Sequence, residues 1–224
     1  MNPSLILLES YSPERDPASF AFSGPCGQVM ARHPEEVLPA LAEVERAVAG
    51  GRHAAGFLSY EAASGLDLVL NTRQKGPLPL VWFGLFRDRA GVAPGSLRPS
   101  GRYTLSAWRP SISRPAYDEA IRRTQAYIAA GDTYQVNFTF RMRADFKGDD
   151  RAFYRDLCRS QRASYCAYLD IGRYRILSAS PELFFSLKND ILTARPMKGT
   201  RPRGRWPQED EGLASALRAS AKDR

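Results

Sequence analysis

Three cysteines in 224 residues are too few and too scattered for a disulfide framework. Cys26, Cys158 and Cys166 make no CxxC pair, which argues against a thiol redox motif or a cysteine-ligated zinc. Free thiols in a reducing compartment are the plain reading, and a cytoplasmic location the matching expectation. The only two histidines, His33 and His53, are isolated, so neither a histidine-ligated metal nor a Ser-His triad is expected. No stretch approaches the ~18 apolar residues that would cross a bilayer. The N-terminal "LILL" run is too short for the core of a secretory signal, and no membrane partner is expected. There are no internal repeats and no low-complexity tails. Lysine is scarce too, with five lysines against 27 arginines.

What is present suits a folded chain: 43% hydrophobic and 25% charged residues lie close to globular averages. The length allows one large domain or two small ones with a substantial core. The net charge of +8 raises nucleic acid as a partner. Basic residues are nevertheless interleaved with acids almost everywhere, and the one dense basic stretch has Trp206 but no aromatic interleaving for base stacking. No nucleic-acid partner is expected.

Short apolar runs alternate with helical patterns. "SLILLES" (Ser4 to Ser10) reads as a buried strand. "PEEVLPALAEVERAVAGG" reads as a helix, with Pro34, Glu35 and Glu36 in its first turn and Val37, Leu38, Leu41, Val44 and Val48 as its apolar face. "AAGFLSYEAA" and "LPLVWFGLF" read as strands, the second apolar throughout and so buried on both sides. Arg87 to Ser100 reads as a surface loop and "RYTLSAW" as a further strand. A seam over Pro110 to Pro115 divides the chain into 1–110 and 115–224. A helix follows from Pro115 to Ala130, with Tyr117, Ala120, Ile121, Thr124 and Ile128 as its buried stripe and Gly131 as its stop. "YQVNFTFRMRADF" alternates strictly, with Val136, Phe138, Phe140, Met142 and Ala144 on one side and Gln135, Asn137, Thr139, Arg141 and Arg143 on the other, which predicts a strand. Asp149 to Arg162 reads as a helix with Phe153, Leu157 and Cys158 inward. Two hairpins follow, around Gly172 and around Asn189-Asp190. A final amphipathic helix starts at Gln208 and is expected to run on to about Lys222. Hairpins with helices grouped between them predict an α+β fold of largely antiparallel sheets with flanking helices.

The chemistry concentrates in the last third. "TARPMKGTRPRGRWPQEDE" holds Arg195, Lys198, Arg201, Arg203 and Arg205 within eleven residues. Like charges disfavour the protonated amine of Lys198, leaving more free base to act as a nucleophile. Arginines beside it would clamp carboxylates in two-pronged fashion. Gly199 lets backbone approach a ligand and Thr200 offers a hydroxyl. Upstream, Ser180-Pro181-Glu182 places a carboxylate at a strand entrance, where it could move protons. Together these residues describe a site for a small carboxylated substrate; each of them alone is a weak signal, and a lone lysine in a basic loop is more often simply solvated.

"SASPELFF" followed by "RPMKGTRPRG" resembles the signature of the chorismate-utilising enzymes, a group that includes anthranilate, aminodeoxychorismate, isochorismate and salicylate synthases. "LLES", "GFLSYEAA", "GDTYQVNFTFRM" and "LRASAKDR" resemble further elements of that family, so the likeness runs through the whole chain. It implies an anthranilate synthase component I-like sandwich, with an N-terminal region at 1–110 and the first part of a chorismate-binding region at 115–224. Lysine at position 198, where anthranilate and isochorismate synthases carry alanine, resembles the aminodeoxychorismate synthase component I branch.

On that branch the resemblance implies that Lys198 adds to C2 of chorismate as the C4 hydroxyl departs. Ammonia then adds at C4 and releases the lysine, giving 4-amino-4-deoxychorismate, a step toward 4-aminobenzoate and folate. Glu182 matches the family's acid/base glutamate and Thr200 a substrate-binding threonine. Gly199, Arg201 and Arg203 complete the expected substrate contacts, the arginines on charge alone. The ammonia would come from a glutamine amidotransferase subunit. Leu8, Glu9 and Ser10 match an element that lines a tryptophan pocket in the family, which makes tryptophan a further candidate ligand. Family members continue past "KDR" into segments that bind Mg²⁺, so the cofactor is expected of a longer enzyme, its ligands are not expected here, and the isolated chain is expected to be inactive and marginally folded. Two alternatives stay open: an anthranilate- or isochorismate-forming relative, and a non-catalytic tryptophan-binding derivative of the fold.

Overall fold

The computed structural model describes residues 5–12, 18–73, 76–197 and 199–220. In chain order the elements are β1 (Ile6–Glu9), β2 (Phe20–Ala31), α1 (Val37–Ala49), β3 (His53–Leu58), α2 (Ala63–Leu66) and β4 (Val81–Gly91). Next come β5 (Tyr103–Leu105), β6 (Arg109–Pro110), α3 (Arg114–Ala130), β7 (Met142–Arg143), β8 (Phe146–Gly148) and α4 (Asp150–Gln161). The chain closes with β9 (Tyr165–Asp170), β10 (Arg175–Ser180), β11 (Leu183–Lys188), β12 (Ile191–Arg195) and α5 (Pro207–Arg218). Every ladder is antiparallel, as the α+β reading expects.

Two compact units emerge. The first joins residues 1–96 to 157–224, and the second holds 97–156. The 110–115 seam lies inside the second unit.

The first unit is built on a six-stranded sheet in the order β10-β9-β1-β2-β4-β3. β4 lies between β2 and β3 and is apolar on both faces for a physical reason. Val81, Phe83 and Leu85 face a cluster with Val29, Ala31, Val37 and Ala40, where α1 packs. Trp82 and Phe86 face the opposite cluster with Ile6, Phe22, Ala55 and Leu169. A strand covered on both sides has no use for polar alternation.

Several expectations are corrected. β2 has no counterpart in the sequence reading, because Gly24, Pro25 and Gly27 look like chain breakers. The strand survives them through a register shift between Pro25 and Gly27, with Gly24 at φ +64°. A bulge is where a ladder can hold proline. β4 continues through Arg87–Gly91, so the surface loop begins only after Gly91. β3 stops at Leu58, and "SYEAA" turns into helical structure instead. In α1 the buried residues are Val37 and Ala40, whereas Leu38 and Val48 are exposed. Leu38 lies one residue, about 100° of helix rotation, from the Val37 stripe. α5 ends at Arg218, short of the expected Lys222, a residue outside those described.

The second unit holds α3 and two short ladders, β5 with β8 and β6 with β7. Ser113 caps α3, its Oγ accepting the Ala116 N–H at 3.3 Å. The stripe at Tyr117, Ala120, Ile121 and Thr124 is half-buried, and Ile128 is exposed. The alternating segment does not form the expected strand: residues 135–141 belong to no ladder, and only Met142–Arg143 and Phe146–Gly148 pair. Its apolar side lies against a helix rather than a sheet, since the rings of Phe138 and Phe140 each sit 5.9 Å from Tyr117 on α3. Alternation reports a two-sided environment but does not require a neighbouring strand.

Candidate active site

The two hairpins read from the sequence are present, and their succession creates the site. β9 and β10 pair around Gly172, and β11 and β12 pair around Asn189 and Asp190, whose φ values of 49° and 63° are those of a type I′ turn. In the second hairpin Leu183 faces Arg195, so the residues just outside the ladder, Glu182 and Pro196, share its open end. Hairpin closure thereby joins the Ser180-Pro181-Glu182 turn to the lysine-bearing loop. A register shift between Leu183 and Ser186 adds a bulge beside this end, a feature that re-aims side chains.

Ser180 shapes the turn. Its Oγ accepts the Glu182 N–H at 3.2 Å and donates to the Glu182 carbonyl at 3.1 Å. The Glu182 carboxylate then accepts the backbone N–H of Met197 at 2.9 Å, across 15 residues of sequence. A depression of about 480 Å³ opens here, lined by Ser180, Glu182, Leu183, Phe184, Ala194 and Pro196. Lys198 lies outside the described residues, while its neighbours Met197 and Gly199 are described. Thr200 and Arg201 are exposed and Gly199 is half-buried.

Sequence reasoning missed how the basic loop ends. The Arg203 guanidinium grips Asp210 with two parallel bonds, Nε to Oδ1 at 2.8 Å and Nη2 to Oδ2 at 2.7 Å. The Gly204 N–H adds a third donor to Oδ1 at 2.7 Å. Arg205 engages Glu209 through its backbone N–H at 2.5 Å and its guanidinium at 3.1 Å. The Arg203 bond, then the Gly204 N–H, hold the Asp210 carboxyl below the ordinary aspartate range. Arg205 does the same for Glu209. By residue type alone, Glu209 and Asp210 are acids that the dipole of a first helical turn favours. The available signal was their spacing of four and seven residues from Arg205 and Arg203.

The Leu8-Glu9-Ser10 element lies on β1 and just after it. Leu8 is 37% exposed, against the buried strand expected, while Leu7 and Glu9 are buried. Glu9 is only 3% exposed, and its carboxylate accepts the Gly95 N–H at 2.7 Å and the Tyr11 hydroxyl at 3.4 Å. Burial, then the Glu9 charge, pushes the Tyr11 phenol up, so it stays a donor. The Ser10 N–H donates to Ser19 Oγ at 3.0 Å. Among the described residues no three of His, Cys, Asp and Glu gather as metal ligands. None of the described helices is long and apolar enough to cross a membrane.

Comparison with known proteins accords with this geometry. Residues 5–224 match the family model of chorismate binding enzymes. The aminodeoxychorismate synthase component 1 of Klebsiella aerogenes is 42% identical over 123 residues, 54% of this chain and 27% of that protein. The anthranilate synthase component 1 of Thermus thermophilus is 38% identical over 151 residues, 67% of this chain and 29% of that protein. The matched stretches thus span less than a third of these relatives. The crystal structure of anthranilate synthase component I from Streptococcus pneumoniae superimposes with a TM-score of 0.69 at 19% identity, over 93% of this chain and 59% of that one. At that identity the likeness speaks for the fold alone. With its family signature matched from residue 5 to residue 224, and with the two motifs of that signature joined at one hairpin end, this chain belongs to the chorismate binding enzyme family.

Proposed function

We propose that these residues serve the amination of chorismate at C4, the reaction of an aminodeoxychorismate synthase component I. One observation carries the reading: the Glu182 carboxylate is bonded to the backbone of Met197, the residue before Lys198. An acid/base group and a candidate nucleophile are thereby tied to one loop. The Lys198 amine, once deprotonated, forms a bond to C2. Both conjugated ring double bonds shift by one position and the C4–O bond breaks, with Glu182 supplying the proton that lets the hydroxyl leave as water. Ammonia then bonds to C4, both double bonds return to their first positions, the C2–N bond to lysine breaks with its electron pair going to the amine, and Glu182 takes back a proton from the new C4 ammonium. Gly199, Thr200 and Arg201 are the proposed substrate contacts. The likeness to proteins named aminodeoxychorismate synthase component 1 supports this reading and an amidotransferase partner as ammonia source. Mg²⁺ is proposed as a requirement of the complete enzyme, and tryptophan as a ligand near Leu8, Glu9 and Ser10.

The Thermus relative favours a second reading, anthranilate formation on the same scaffold, because its match is longer. One experiment separates the two. The full-length gene product is incubated with chorismate, an ammonium salt and Mg²⁺, and products are resolved by chromatography. The wild type should give the C4-aminated product, and Lys198→Ala should lower its rate by at least about a hundredfold, the scale of a lost covalent step. Anthranilate as the main product, or full-rate C4 amination by the alanine variant, would refute the proposal.

A further inference from the structure

The five cations of the basic stretch are not equivalent. Arg203 and Arg205 are each bonded to a carboxylate of the first turn of α5, and Asp210 gathers three donors: both prongs of Arg203 and the Gly204 N–H. At the other end of the loop Met197 is bonded to Glu182. The described residues between, 199 to 202, are therefore flanked on both sides by bonded residues. Glycine at 204 is a condition of this arrangement, since a Cβ there would stand 2.1 Å from the Asp210 nitrogen and 2.5 Å from its Cα. Those atoms are backbone and cannot swing aside.

We infer that Asp210 and Arg203 are positioning residues for the lysine-bearing loop, with Arg203 serving α5 rather than the substrate. The inference rests on the proposed function insofar as Lys198 is the group positioned. An Arg–carboxylate fork fixes direction as well as distance, which a lone ammonium cannot do. The Arg203–Asp210 and Arg205–Glu209 pairs together offset two positive charges of the stretch and leave those of Arg195, Lys198 and Arg201 to meet a dianionic ligand. The side chain of Arg203 is 89% exposed, so the pair contributes little to global stability. Its effect is local: it selects one course for the loop, and its loss should free that loop without unfolding the sheet.

The test uses the full-length gene product in three variants, Asp210→Asn, Arg203→Lys and Gly204→Ala. Amide hydrogen exchange is followed over residues 197–206 and, as a control, over β1, β2 and β4. Lys198 acetylation by N-hydroxysuccinimidyl acetate is followed by mass spectrometry across pH. In each variant loop exchange should rise by about tenfold or more with the sheet unchanged, as expected for local opening. The pH midpoint of Lys198 acetylation should move with it. Arg203→Lys keeps the charge and loses only the fork, so wild-type exchange in this variant would overturn the inference, as would exchange that rises while Lys198 acetylation stays unchanged. Both readouts work without turnover. Full C4 amination by Lys198→Ala would therefore sink the lysine reading and leave the lock standing, whereas unaltered exchange in Asp210→Asn would sink the lock and leave the lysine reading intact.

Discussion

Asp210 shows how little of a residue's role is set by its type. A first-turn aspartate is favoured by the helix dipole in any protein. Here its carboxylate also receives the fork of Arg203 and the N–H of Gly204. These bonds lower its proton affinity in the folded state, with the Arg203 bond the largest cause. A carboxylate whose folded pKa is depressed contributes stability that is present above its unfolded value and is lost as pH falls through the folded one. The lock should thus be closed at neutral and mildly acidic pH and open only below the ordinary aspartate value of 3.8. The side-chain carbonyl carbon of Asp210, followed by NMR, should titrate with a midpoint under that value. A midpoint at or above it would contradict the bonding described. Glu9 makes the complementary point. Its burial was not legible from "LLES", because it depends on Gly95, which supplies a donor from 86 residues along the chain beside the local one from Tyr11.

At the scale of elements, continuous apolar runs and turn chemistry were legible, whereas interrupted or one-sided patterns misled. β4 was readable because both of its faces are buried, and its Phe86 is fully enclosed between strands. Phe86→Ala should therefore cost about 3–5 kcal/mol, the usual range for a phenylalanine truncated in a core. Denaturant unfolding measures this, and a loss under about 1 kcal/mol would show that the site can collapse around the gap. The Asn189-Asp190 turn was readable because few residues tolerate positive φ at successive positions. β2 was not, since Gly24, Pro25 and Gly27 locally argue against a strand and only β1 and β4 on either side sustain it. The alternating 134–146 segment erred in the opposite direction. Its pattern is clean, yet what it packs against is Tyr117 of α3.

For the molecule as a whole, the β11–β12 hairpin matters most because it is exposed along most of its length. Phe184 is 87% exposed, and Phe185, Leu187, Ile191 and Leu192 are exposed with it. Contiguous apolar surface of this kind promotes association. The chain should bind a hydrophobic dye such as ANS and self-associate with rising concentration in sedimentation velocity, and Phe184→Ser with Leu192→Ser should lower both signals. A strictly monomeric, dye-silent chain would show that this surface is covered in solution. The family was legible in the sequence because its chemistry resides in short contiguous motifs, and the antiparallel class because hairpin turns declare themselves locally. Tertiary structure alone decided that Glu182 meets the backbone beside Lys198, that Arg203 and Arg205 belong to α5, and that residues 5–96 share a sheet with 165–180. The first and last of these join groups distant along the chain, and the arginine pairs bring together neighbours four and seven residues apart that a sequence lists only as possible partners; a sequence records which groups could pair, whereas the fold decides which of them come within bonding distance.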